Sequence, residues 1–177
     1  AYGKCKKPDR VPRLLEEMKA SGIAPDNITF NAAITAAGNG GDPDLALKVL
    51  SQMAYADKDV ISYNAAITAC EKAGRTDRAL DLFAEMKAHA IAPTNVSYNA
   101  IIAACQKAGK WRNCVDFLNA MLASNVPPDV VTFNSVISTC ELAGATDAAT
   151  DVFLRALEHK AYGHGVHGSN LWHGDGA

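Results

Sequence analysis

The segment Val60-Ile61-Ser62-Tyr63-Asn64-Ala65-Ala66-Ile67-Thr68-Ala69-Cys70-Glu71-Lys72-Ala73-Gly74 decides how this chain folds, because its Ser-Tyr-Asn-Ala core returns along the sequence. The counterparts are Thr29-Phe30-Asn31-Ala32, Ser97-Tyr98-Asn99-Ala100 and Thr132-Phe133-Asn134-Ser135. Successive asparagines lie 33, 35 and 35 residues apart. A fixed period of about 20–50 residues is the mark of stacked supersecondary units rather than one irregular core.

The quoted segment itself reads as a helix. Ile61, Asn64 and Ala65 sit one turn apart, Ile67 and Thr68 follow on the same side, and Gly74 is placed to end it. Thr76-Asp77 is a good helix start, and Ala79, Leu80, Leu82, Phe83 and Met86 then form a broad apolar stripe of helical period. Ala92-Pro93 breaks the second helix, since the residue before proline is pushed out of helical geometry. Gly41, Gly74, Gly109 and Gly144 hold one place in the turn, and Met53, Met86 and Met121 hold one place late in the second helix. The expected fold is all-α, a solenoid of helix–turn–helix repeats of about 35 residues.

The units run 27–59, 60–94, 95–129 and 130–160, the last incomplete at its end. The first is two residues short, and because Asn31 to Met53 stays in register, the deletion falls in Ala54–Asp59. Met18 precedes Met53 by 35 residues, so residues 1–26 read as a partial leading repeat. Residues 161–177 carry Gly163, Gly165, Gly168, Gly174 and Gly176 and read as a flexible Gly/His-rich tail. His164, His167 and His173 there raise a metal alternative, but no acidic or thiol partner is spaced to complete a ligand set.

With a net charge of −2, the chain has no global basic footprint, so a nucleic-acid site would have to be a local stripe. No apolar run approaches the roughly 18 residues needed to span a bilayer. Neither an initiator Met nor a leader-like stretch is present, which reads as a fragment of a longer protein. Cys70, Cys105 and Cys140 recur every 35 residues and read as buried packing positions, while Cys5 and Cys114 stand alone. There is no Cys-x-x-Cys pair, no deaminase signature and no carboxylate cluster of the two-metal kind. Asp77, Asp81 and Glu85 read as solvated surface, so no catalytic residue is expected.

A 35-residue helix pair opening on Val60-Ile61-Ser62-Tyr63-Asn64 or Val130-Val131-Thr132-Phe133-Asn134, turning at Lys72-Ala73-Gly74 or Lys107-Ala108-Gly109, and closing on Pro128-Asp129 resembles the pentatricopeptide repeat. The tetratricopeptide pattern fits poorly, because neither Trp111 nor Trp172 stands in its context. The resemblance implies a right-handed superhelix that binds single-stranded RNA, one base per repeat. It implies that the asparagine after the aromatic and the last residue of the repeat choose the base. The base-reading pairs are then Asn31 with Asp59, Asn64 with Thr94, and Asn99 with Asp129. Register counting pairs Asn134 with His164, and Asp26 closes the leading unit. Ile28, Ile61, Val96 and Val131 would wedge against bases, and Lys72 and Lys107 would touch phosphate. Asn39 and Leu142 stand at the same place without that charge.

The family's code then gives U–pyrimidine–U–pyrimidine from the N-terminus, in organellar RNA processing, stability or translation. Localisation in plastid or mitochondrion is likewise implied only by the resemblance. No cofactor, membrane or small-molecule substrate is expected. Two alternatives stand beside this reading. The asparagines could merely bridge neighbouring helices, and the groove could serve as a scaffold for a protein or peptide partner.

Overall fold

The computed structural model describes residues 10–163, with side chains through His159. Among the described residues there are nine α-helices and no strand. They are α1 (Arg10–Ala20), α2 (Asn27–Asn39), α3 (Pro43–Gln52), α4 (Val60–Lys72), α5 (Thr76–Ala88), α6 (Asn95–Lys107), α7 (Trp111–Ala123), α8 (Val130–Leu142) and α9 (Thr146–Gly163). No helix is long and apolar enough to cross a membrane. The fold is an all-α superhelix of paired helices.

The first helices α2, α4, α6 and α8 pack on one another in sequence, and each second helix packs on its own first helix and on the next one. First helices are therefore enclosed on several sides, and their sequences are apolar nearly all round. Tyr63, Ala66, Ile67 and Cys70 of α4 have no exposed surface, nor do Tyr98, Ile101 and Cys105 of α6. Burying an Ile or Leu side chain fully is worth about 1.5–3 kcal/mol, and here that gain repeats at each unit boundary. Small residues keep the layer tight. At Gly38 an added Cβ would stand 2.8 Å from the Ala69 Cβ, so α2 and α4 touch there through bare backbone. The periodic Cys70, Cys105 and Cys140 are buried, and so is Cys114.

Each turn between helices of a pair ends in a left-handed glycine, from Gly41 at φ +80° to Gly109 at φ +66°. Second helices end the same way at Gly22, Ala90 (φ +56°) and Asn125 (φ +54°). There the amides of Ile23, Ile91 and Val126 donate to the carbonyls of Met18, Met86 and Met121 at 2.9–3.0 Å. This is the six-to-one bond of a Schellman turn. The recurrent methionine marks the residue whose carbonyl closes it.

The short unit departs from expectation in an instructive way. Helix α3 spans 10 residues where α5 and α7 span 13, and it stops before Met53. The missing residues thus shorten the helix by its last turn, not only the connector as the sequence suggested. A 3-10 turn at Tyr55–Asp57 fills the space, and its Tyr55 ring lies 4.3 Å from that of His89. Helix α9 also continues past the boundary expected at 160 and is described through Gly163. The remaining tail with its histidines, and Cys5, lie outside the described residues.

One acid was misread from sequence. Glu85 is not simple solvated surface: it accepts from the Tyr63 hydroxyl at 2.8 Å and pairs with Lys58 at 3.3 Å. Burial and the Glu85 carboxylate push the Tyr63 hydroxyl far above its ordinary pKa. Asp77 and Asp81 are exposed, paired with Lys110 and Arg78.

Two backbone sites test this account. Alanine in the left-handed region is strained, so Ala90→Gly is expected to raise stability by about 0.5–1 kcal/mol in urea unfolding. Gly38→Ala gains helix propensity of about 1 kcal/mol, but forces α2 off α4 at a cost of about 1–3 kcal/mol. The expected net effect is destabilisation.

Candidate nucleic-acid interface

The site is built where one unit meets the next. Three of the four first helices start on a capping residue whose side chain accepts from the backbone amide three residues on. Asp26 does so for Thr29, Asp59 for Ser62 and Asp129 for Thr132, each at 2.8 Å. Ser62 and Ser97 reach back to the amides of Asp59 and Thr94 at 2.8 and 3.0 Å, completing a reciprocal box that satisfies the otherwise orphaned donors of the helix end.

The same capping residues meet the asparagines of the preceding unit. Asn31 Nδ2 donates to Asp59 Oδ1 at 3.4 Å, Asn64 Nδ2 to Thr94 Oγ1 at 3.5 Å, and Asn99 Nδ2 to Asp129 Oδ2 at 3.1 Å. All three asparagine–terminal residue pairs singled out in the sequence are thus in contact, including the one in the short unit. Asn134 is exposed, and its expected partner His164 lies outside the described residues.

Sequence reading missed the third member of each set. Ser97 Oγ donates to Asn64 Oδ1 and Thr132 Oγ1 to Asn99 Oδ1, both at 2.6 Å. These hydroxyls orient the amides, turning each oxygen toward the next helix and each nitrogen toward the capping residue. Their signal was present, because Thr29, Ser62, Ser97 and Thr132 open the repeating tetrapeptide. In the short unit Ser62 instead donates to the Asp59 carbonyl at 2.8 Å, and the buried Asn31 Oδ1 has no partner.

Helix bridging by the asparagines is therefore a structural fact, yet it does not seal them in. Asn64 and Asn99 are half-buried, and Asn64 lines a cleft of about 380 Å³ with Thr35, Ile61, Thr68, Lys72 and Val96. The expected wedge residues are the exposed aliphatics of this face: Ile28, Ile61, Val96 and Val131 are 77, 59, 58 and 65% exposed.

The lysines differ from one another. Lys72 donates to the neutral Asn39 Oδ1 at 2.8 Å, and among the described residues no carboxylate pairs with it. Lys107 is ion-paired with Glu71 at 2.5 Å, so its charge is compensated within the protein rather than held for a phosphate. Among the described residues no cluster of three metal-ligating side chains is present.

Burial works to raise the Asp129 carboxyl. The Thr132 amide and hydroxyl, with the Asn99 amide, more than offset it, and the pKa is held below the usual value.

Comparison with known proteins agrees with the fold. Models of the PPR repeat family match residues 58–105 and 93–141, the pentatricopeptide repeat domain matches 13–55, and the PPR repeat matches 1–23. The chain belongs to the pentatricopeptide repeat family. No curated protein matches it. Among solved structures it is similar to PPR10 in complex with an 18-nt psaJ RNA element, at 23% identity and TM-score 0.71 over 85% of this chain and 22% of that one. PPR10 from maize aligns at 22% identity and TM-score 0.70, over 89% of this chain and 23% of that one. The PPR domain of Arabidopsis thaliana protein-only RNase P 1, in complex with tRNA, aligns at 16% identity and TM-score 0.72, covering 86% and 82% of the two chains. The chain thus spans less than a quarter of the length of PPR10.

A carboxyl with a lowered folded pKa stabilises the fold above its unfolded value and loses that contribution as pH falls through the folded one. Asp129→Asn keeps a good capping side chain but cannot titrate. Its stability deficit relative to the parent is expected to shrink between pH 7 and about pH 3, as measured by urea unfolding at both values.

Proposed function

We propose that this chain binds single-stranded RNA along the face of its first helices, one base per repeat, with a preference for uracil and pyrimidines. The observation that carries the proposal is the Asn64 cleft. An oriented amide sits between Ile61 and Val96, exposed aliphatics from consecutive units, in a space open to solvent. An amide presents a donor and an acceptor to a base edge, and apolar walls above and below suit an unstacked base. The RNA-bound states of PPR10 and of the RNase P 1 domain support the same reading.

Asn31 with Asp59, Asn64 with Thr94, and Asn99 with Asp129 are the proposed base readers, with Asn134 as the fourth. Ile28, Ile61, Val96 and Val131 separate successive bases. The order U–pyrimidine–U–pyrimidine runs 5′ to 3′ from the N-terminus. Lys72 is the proposed phosphate contact; Lys107 would have to leave Glu71 to make a second. Counterion release of about −0.7 per neutralised phosphate then gives a shallow salt dependence. By family membership we assign the protein to organellar RNA processing, stability or translation, in plastid or mitochondrion.

The test is fluorescence anisotropy with labelled oligo(U), oligo(A) and oligo(G) at low salt, using the parent and an Asn64→Ala/Asn99→Ala double variant. Oligo(U) is expected to bind most tightly, and the variant to abolish that preference while remaining folded by circular dichroism. Equal binding of all three, or binding that the variant leaves untouched, would instead favour a scaffold for a protein or peptide.

A further inference from the structure

Asn95 opens α6 at the place held by Asn27, Val60 and Val130 in the other units. Its own Nδ2 donates to the Pro127 carbonyl at 3.0 Å, which fixes the side chain and turns its oxygen inward. Asn99 Nδ2 donates to that oxygen at 2.8 Å. The other amide hydrogen of Asn99 goes to Asp129 Oδ2 at 3.1 Å, and its carbonyl accepts from Thr132 at 2.6 Å. A primary amide has two hydrogens and two lone pairs. Asn99 therefore has both hydrogens committed and one lone pair to offer.

Asn64 is placed otherwise. Val60 stands where Asn95 would be, so Asn64 spends one hydrogen on Thr94, at 3.5 Å, and accepts from Ser97 at 2.6 Å. One donor and one acceptor are left. The two units carry the same reading asparagine and present different edges.

We propose that Asn95 is a specificity-determining positioning residue that makes the 95–129 unit an acceptor-only site, selecting bases with a ring N–H on their Watson–Crick edge. Uracil and guanine have that hydrogen. Cytosine and adenine present a ring nitrogen lone pair there; their exocyclic amino group can reach one of the site's oxygens, but the ring nitrogen is then left facing an acceptor with no proton between them. Pairing that nitrogen requires Asn99 to give up its bond to Asn95, and a hydrogen bond of this kind is worth roughly a two- to tenfold change in affinity. The inference rests on the RNA-reading function proposed above and adds a residue to it.

The experiment uses the full chain and RNA of sequence U-U-N-U flanked by abasic spacers, where N is each base in turn. The parent is expected to favour U and G at N. Asn95→Val, which copies the 60–94 unit, is expected to narrow that preference about fivefold by admitting C and A. In RNA-free protein the Asn99 side-chain amide resonances should move in Asn95→Val, reporting the lost bond to Asn95. If discrimination at N is the same in parent and Asn95→Val, the role given to Asn95 is overturned while RNA reading stands. If the parent prefers no base at N and binds oligo(U), oligo(A) and oligo(G) equally, the RNA reading itself fails, and this inference with it.

Discussion

One side chain at the end of each unit holds two structures in register. Asp59, Thr94 and Asp129 each cap the helix that follows and accept from an asparagine in the helix before. A carboxylate has about four lone-pair sites, so it can serve the Ser62 or Thr132 amide and the asparagine together. A threonine hydroxyl has fewer, and Thr94 meets Asn64 at 3.5 Å, close to the 3.4 Å of Asn31 and Asp59 and longer than the 3.1 Å of Asn99 and Asp129. Because the cap fixes where a helix begins, it also fixes the height of that helix against the preceding asparagine. Stacking and side-chain orientation are thus one constraint.

The rest of the molecule is organised around keeping that junction rigid. First helices pack through Ala, Cys and Gly, which lets α2 and α4 approach until Gly38 meets Ala69. Behind them, the buried aromatics reach outward with their hydroxyls. Tyr63 meets Glu85 and His89, both at 2.8 Å, and Tyr98 meets Ser124 at 3.1 Å. Periodic ion pairs, Asp44 with Arg75 and Asp77 with Lys110, link the starts of consecutive second helices. Such exposed pairs add little each, on the order of 0–1 kcal/mol. The apolar layer carries the stability, and the polar contacts set its geometry.

The architecture was legible because it is written several times. Recurrence of Tyr-Asn, of the turn glycines and of the late methionine gives helix number, order and pairing directly. The pairing of Asn99 with Asp129 is implied by the family resemblance alone. What the sequence hid were interactions without a period. Asn95 occurs at a place where two other units have valine. Glu71 happens to meet Lys107 and compensate its charge, whereas Lys72 meets only the neutral Asn39 amide. Register in the sequence places the deletion in the Ala54–Asp59 connector, whereas packing shows that α3 loses its last turn as well. Repetition predicts the common part of each unit; the individuality of a unit depends on neighbours about 30 residues away.

The hydroxyls of Ser97 and Thr132 have a consequence for engineering. The amide of Asn64 is aimed by a residue from α6, and that of Asn99 by one from α8, so each oriented amide straddles the boundary drawn between helix pairs. A transplantable cassette cut at that boundary would carry the asparagine and leave its aiming group behind. Cassettes cut from Asn64 through Ser97, or from Asn99 through Thr132, would move the amide and its aiming hydroxyl together, at the price of splitting a helix at each splice.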